Sequence, residues 1–273
     1  MKGIPRLRSV SVASLLAMLA AVSACAPGVV EDTDPMPTSL VRWPATDVYE
    51  APDQLREATM VWSAEPGIDL FSAEGTLVRA SEESFAIGLM LGLDYTYVGF
   101  AESSNSPRNA GSLSGFRDDT GQGPFVGTIY GHIQQIIPTR EGFDVLSCVL
   151  GVGLDRVVNG KYSPSLLTGS EGGEQRSRFI RNGSSESGLP TSPPAALRSR
   201  DRHWQAPTGN EFEGWEIDGF IDLDPQTSER GRCVPWARSL YPNAPSTITP
   251  DTYARDTPPP VQPAFPGWPD GSS

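Results

Sequence analysis

FVGTIYGHIQQIIPTREGFDVLSCVLGVGL, residues 125–154, is the stretch that decides the fold. Ile129, Ile133 and Ile137 fall on one face of an extended chain, and Tyr130, His132 and Gln134 fall on the other, because side chains alternate along a strand. Pro138-Thr139-Arg140-Glu141-Gly142 supplies a turn. A second strand follows, with Leu146, Cys148, Leu150, Val152 and Leu154 on one face. The stretch is a long β-hairpin. Arg156 to Tyr162, which contains Asn159-Gly160, reads as a further turn. Strand-like alternation returns from Trp215 to Asp224, with Ile217, Ile221 and Leu223 inward and Glu216, Asp218, Asp222 and Asp224 outward.

Upstream of the hairpin the periodicity changes. Pro52 can open a helix through Trp62, with Leu55, Ala58, Thr59 and Trp62 on one stripe. Ser72 is an N-cap for a second helix through about Leu91, on which Val78, Phe85 and Leu89 recur at helical spacing. Asp94 to Phe100 is a short strand or turn, and Ala101 to Pro124 is a glycine-rich loop. Residues 163–202 are rich in Ser, Gly, Pro and Arg, which predicts a mobile excursion. Residues 242–273 hold nine prolines in 32 residues and predict a disordered tail. The expected architecture is α+β: N-terminal helices on a curved antiparallel sheet, in one domain spanning 47–241. Helices followed by a bent sheet resemble the cone-shaped NTF2-like folds. Residues 65–162, with Tyr97-Val98-Gly99-Phe100 before a long hairpin, also resemble uncharacterised exported proteins of actinobacteria.

The first 25 residues have a basic start (Lys2, Arg6, Arg8), an apolar run from Val10 to Val22, and Val22-Ser23-Ala24-Cys25. Such a segment is a secretory signal and is too short to span a bilayer, which takes ~20 apolar residues. Its last four residues resemble the lipobox of bacterial lipoproteins. The resemblance implies cleavage after residue 24, a lipid on Cys25 and anchoring at the extracytoplasmic face of the cell membrane; cleavage as an ordinary secretory signal is the alternative. Residues 25–46, with Pro27, Pro35, Pro37 and Pro44, then form a flexible tether. Beyond the signal there are 18 basic and 33 acidic residues, a net charge of −15, which argues against nucleic acid as a partner. Cys148 and Cys233, an even pair in an oxidising compartment, are expected to form a disulfide, with two buried thiols as the alternative.

Chemistry is sparsely signalled. No G-x-S-x-G elbow occurs, and Lys2 and Lys161, the only lysines, exclude an S-x-x-K motif. Cys148 with His132 or His203 is a weak nucleophile–base option. The two histidines offer no metal-ligand spacing, and neither metal nor cofactor is expected. Glu216 and Asp218, two apart on a strand and flanked by Trp204, Trp215 and Trp236, are the candidate carboxylates of a glycan-binding or glycan-hydrolysing site. Tyr130, His132 and Gln134 are the candidate lining of a small-ligand pocket. The leading expectation is a lipid-anchored, non-catalytic binding or envelope-assembly module with an envelope protein as partner. Glycan recognition and small-ligand carriage are the alternatives, and no catalytic residue is assigned.

Overall fold

A computed structural model describes residues 49–105, 116, 122–165, 171–182, 202–220, 231–244 and 254–268. They fall within one unit, Val41–Ser273; the signal, Cys25 and the whole of the tether lie outside the described residues. The first element corrects the sequence expectation. A 3-10 turn covers Asp53–Leu55, and Glu57–Ala64 is then a strand, β1, not the end of a helix. The helical stripe was a coincidence of spacing. Ala58, Thr59, Met60 and Trp62 are all buried, so both faces of the segment meet protein, and Thr59, Val61 and Trp62 suit a strand.

The second helix forms where expected. In α1, Ala73–Leu91, Ser72 is the N-cap and its hydroxyl accepts from the Gly75 amide at 3.0 Å. A short helix, α2 (Phe100–Ser104), follows, then β2 (Phe125–Pro138) and β3 (Gly142–Val158). β4 is Lys161–Pro164, β5 Gly173–Arg181, β6 Trp215–Phe220, and α3 Val234–Leu240. The sheet runs β1-β2-β3-β5-β6, with β4 paired to β3. It is mixed rather than antiparallel, because β1 and β2 are parallel. A parallel pair needs a long crossover, and the stretch containing α1 supplies it. β5 lies inside the segment read as a mobile excursion, yet it pairs with both β3 and β6.

Two bulges explain where the hairpin departs from simple alternation. Between Ile133 and Gln135 the β2 strand carries an extra residue. Ile129 and Ile133 therefore reach the main core, but Ile137 is 47% exposed and Ile136 packs in its place. On β3 the register slips between Leu150 and Gly153, so Leu154 joins the main core while Leu150 and Val152 meet α3 on the opposite face. The sheet is thus covered on both faces. Cys148 and Cys233 are joined by a disulfide with Cα atoms 5.6 Å apart, which fastens the start of α3 to β3.

The proline-rich C-terminus also differs from expectation. Residues 254–268 form a strap along the domain. Arg255 pairs with Asp155 at 2.6 Å and exchanges backbone hydrogen bonds with Tyr162. Further on, the Trp62 amide donates to the Phe265 carbonyl at 2.6 Å, which covers the free edge of β1. Trp268 then enters the core. Prolines set the extended path, and Phe265 and Trp268 supply the apolar anchors.

Candidate functional site

The parallel register of β1 and β2 places Val61 opposite Tyr130 and Ser63 opposite His132. Alternation sends these four side chains to the face covered by α3. On the other face Trp62 lies opposite Gly131, where any Cβ would come within 2.5 Å of the indole ring. Glycine at 131 therefore lets Trp62 lie across β2 and reach α1.

Beyond β1 the ladder extends by one bond, from the Glu65 amide to the Ile133 carbonyl at 2.9 Å. Ser63 and Glu65 are two residues apart and bracket the buried His132 ring. Ser63 Oγ is 2.9 Å from Nδ1, and Glu65 Oε1 is 3.3 Å from Nε2. Trp236 of α3 stacks on the imidazole, with centroids 5.3 Å apart and planes 17° apart. Trp236 is held there by the disulfide, since Cys233 is the N-cap of its helix.

Beside this cluster is a pocket of about 320 Å³, lined by Val61, Ser63 and Tyr130 from the sheet, Trp236, Leu240 and Tyr241 from around α3, and Pro260 and Gln262 from the strap. No lining residue carries a charge. The Tyr130 hydroxyl accepts from Gln262 Nε2 at 2.8 Å and shares a longer hydrogen bond with the Tyr241 hydroxyl, 3.4 Å away. Burial first, and then Tyr241, pushes the Tyr130 phenol well above its ordinary range, so it stays a donor. The strap is pinned at the same place. Thr59 Oγ donates to the Gln262 carbonyl at 2.8 Å, and the Gln262 amide donates to Thr128 Oγ at 2.9 Å.

The sequence candidates are only partly assembled. Tyr130 lines the pocket and His132 backs it through Ser63 and Trp236, whereas Gln134 turns away and donates to the Arg232 carbonyl at 2.8 Å. Glu216 borders a separate cleft of about 440 Å³ with Glu102, Asn182, Asn210 and Trp215, and Asp218 is not among its lining residues. The three tryptophans are dispersed. Trp204 is buried and donates to the Tyr97 hydroxyl, Trp236 covers His132, and Trp215 packs on Phe143 under Arg181. The disulfide removes Cys148 as a nucleophile. Asp222 and Asp224 lie outside the described residues, and among those described no three His, Cys, Asp or Glu side chains gather as metal ligands. Ser63 and Glu65 were missed because β1 was read as a helix; only the strand register brings them to His132.

On the far face, α1 carries a buried charged row. Glu83 accepts from Trp62 Nε1 at 2.8 Å, from the Tyr97 hydroxyl at 2.7 Å and from Trp268 Nε1 at 2.7 Å. Arg79 donates to the Pro266 carbonyl at 3.0 Å and lies over the Trp268 ring. Glu82 accepts from Ser147 Oγ at 2.9 Å, and Gln175 donates to it when its amide nitrogen faces the carboxylate. Burial outweighs the Ser147 bond and pushes the Glu82 carboxyl up from 4.5 to about 7. Between those values the unfolded chain is ionised while the folded chain holds its proton, so stability falls as pH rises. Below the window both states are protonated, and above it both are ionised. At ~1.4 kcal/mol per pKa unit the total is about 3 kcal/mol. Glu82→Gln, which keeps an acceptor for Ser147, is expected to flatten this slope. Urea midpoints of the two proteins should diverge in the variant's favour from pH 5 to pH 7 and then run parallel; identical profiles would contradict the assignment.

Compared with known proteins, the chain matches no family model, no curated protein and no solved structure.

Proposed function

We propose that the chain is an exported lipoprotein, anchored through Cys25 at the extracytoplasmic face of the cell membrane, whose domain binds a compact neutral ligand beside His132. The observation that carries the ligand half is the uncharged aromatic pocket. Tyr130, Trp236 and Tyr241 offer rings to an apolar face, while Ser63, Gln262 and the Tyr130 hydroxyl offer hydrogen bonds to oxygen atoms. Leu240, 40% exposed at this pocket, is an apolar residue that a bound ligand would cover. The anchoring half is supported by the order of basic, apolar and small residues ahead of Cys25.

The test uses methyl benzoate and benzyl alcohol as neutral probes and benzoate as a charged control, with saturation-transfer NMR as the readout. Both neutral probes are expected to bind the wild type, Leu240→Asp is expected to abolish the signal, and benzoate is expected to give none, because no lining cation offsets its desolvation. Equal signals from the wild type and Leu240→Asp would sink the pocket assignment. For the anchor, Cys25→Ala is expected to move the protein from the membrane fraction to the soluble fraction; an unchanged distribution contradicts it.

A second reading, glycan binding at Glu216, is favoured by the cleft that Glu102, Asn182 and Asn210 line together with Trp215. Asp218 then has no part in it.

A further inference from the structure

We propose that Ser63 is a nucleophile for acyl transfer, activated by His132 and acting on small neutral esters in the adjoining pocket. Resting on the pocket assignment above, the proposal adds a reaction to it. Three observations support it independently of sequence motifs.

The first is the arrangement of the three polar side chains. Glu65 Oε1, 3.3 Å from Nε2, accepts the Nε2–H and so favours the tautomer in which Nδ1 carries a lone pair. That lone pair faces Ser63 Oγ at 2.9 Å, within reach of the hydroxyl proton. A triad is recognised by such roles rather than by residue order, and the acid–base contact is often looser before substrate binds.

The second is that the imidazole is held while the hydroxyl is open. His132 is buried against Trp236, which fixes the plane of the ring. Ser63 is exposed and lines the pocket, so an ester carbonyl there has access to Oγ. A serine serving only to satisfy the histidine would not need to open onto a cavity.

The third is a donor for the developing negative charge. The Tyr130 hydroxyl accepts from Gln262 Nε2 at 2.8 Å, and among the described residues only the Tyr241 hydroxyl, 3.4 Å away, competes for its proton. It lines the same pocket and can donate to an oxyanion.

The reaction balances without a cofactor. Ser63 Oγ attacks the carbonyl carbon as its proton passes to His132 Nδ1. The tetrahedral intermediate collapses with cleavage of the bond to the alcohol oxygen, which takes the proton from Nδ1 and leaves as the alcohol. Water then attacks the seryl ester, again giving a proton to Nδ1. The carboxylic acid departs and the Ser63 hydroxyl is restored.

The test combines an alkyl fluorophosphonate with p-nitrophenyl acetate on the full domain. Wild type is expected to gain one phosphonyl adduct, mapped by peptide mass to Ser63, and Ser63→Ala none; at this exposed position alanine leaves the fold intact. Hydrolysis of p-nitrophenyl acetate is expected to fall ~100-fold or more in Ser63→Ala, to the solution background. Glu65, a positioning residue, is expected to show itself in Glu65→Gln as about a tenfold lower kcat at unchanged KM. No adduct on the wild type, or equal hydrolysis by wild type and Ser63→Ala, overturns the proposal. Its failure is separable from that of the pocket. An adduct on the wild type that is absent from Ser63→Ala, together with binding of benzyl alcohol by the wild type, supports both, whereas binding of benzyl alcohol by an unlabelled wild type leaves the pocket standing and removes the nucleophile.

Discussion

Glu83→Ala is expected to cost about 3–5 kcal/mol, enough to unfold much of the protein against a typical total of ~5–15 kcal/mol. Glu83 is fully buried near the middle of α1, and one carboxylate takes hydrogen bonds from three aromatic donors on different parts of the chain. Trp62 comes from β1, Tyr97 from the turn after α1, and Trp268 from the strap. Burial pushes the carboxyl above its ordinary range, and Arg79 together with the three donors pulls it back. Alanine would strand two indole N–H groups and remove the carboxylate that most offsets the Arg79 charge, with Glu211 the remaining acidic neighbour. Tyr97 is the least affected, because the Gln205 carbonyl lies 3.0 Å from its hydroxyl. Glu83→Gln keeps an acceptor but sets an amide N–H against one of the donors, and is expected to fall between wild type and alanine. Urea denaturation followed by far-ultraviolet circular dichroism checks the order. Equal midpoints for all three proteins would contradict the role assigned to Glu83.

Removing the disulfide is expected to lower stability by about 4.5 kcal/mol in the loop-entropy account, because the bond closes a loop of 85 residues. Both cysteines are almost wholly buried. The functional consequence is more specific than the loss of stability. The bond ties the N-terminus of a seven-residue helix to β3, and such a short helix has little stability of its own. Once released, α3 has Ala237 packed against Tyr130 and Leu150 but no covalent tie, and Trp236 can leave the His132 ring. A Cys148→Ser/Cys233→Ser double variant is therefore expected to lose saturation-transfer signals from benzyl alcohol even at temperatures where its circular dichroism is native. Retained binding would mean that the sheet and strap form the pocket without α3.

What could be read from the sequence was local. The hairpin and α1 are strong because alternation at Tyr130–Ile133 and the Ser72 cap each need only a few neighbouring residues. β1 misled because Leu55, Ala58, Thr59 and Trp62 satisfy helical spacing, while its true partner begins 69 residues later, at Val126 opposite Glu57. The bulges were invisible for a related reason: an extra residue at Gln134 changes phase without changing composition. In the strap, proline content hid the meaning of Phe265 and Trp268, whose partners are Trp62 and Glu83. The candidate site shows both outcomes. Tyr130 and His132 were legible as one strand face, but Ser63 and Glu65 belong with them only through the parallel register, and Gln134 leaves the group because of the bulge. The grouping of Glu216 with Asp218 and three tryptophans followed sequence proximity, which the fold does not preserve.

The most direct test of the ligand site is an NMR titration of the isotopically labelled domain with benzyl alcohol. The largest shifts are expected at Ser63, Tyr130, Trp236 and Gln262, with saturation and with their loss in Leu240→Asp. Shifts clustered instead at Val98, Asn210 and Glu216, or scattered without saturation, would contradict a ligand site beside His132.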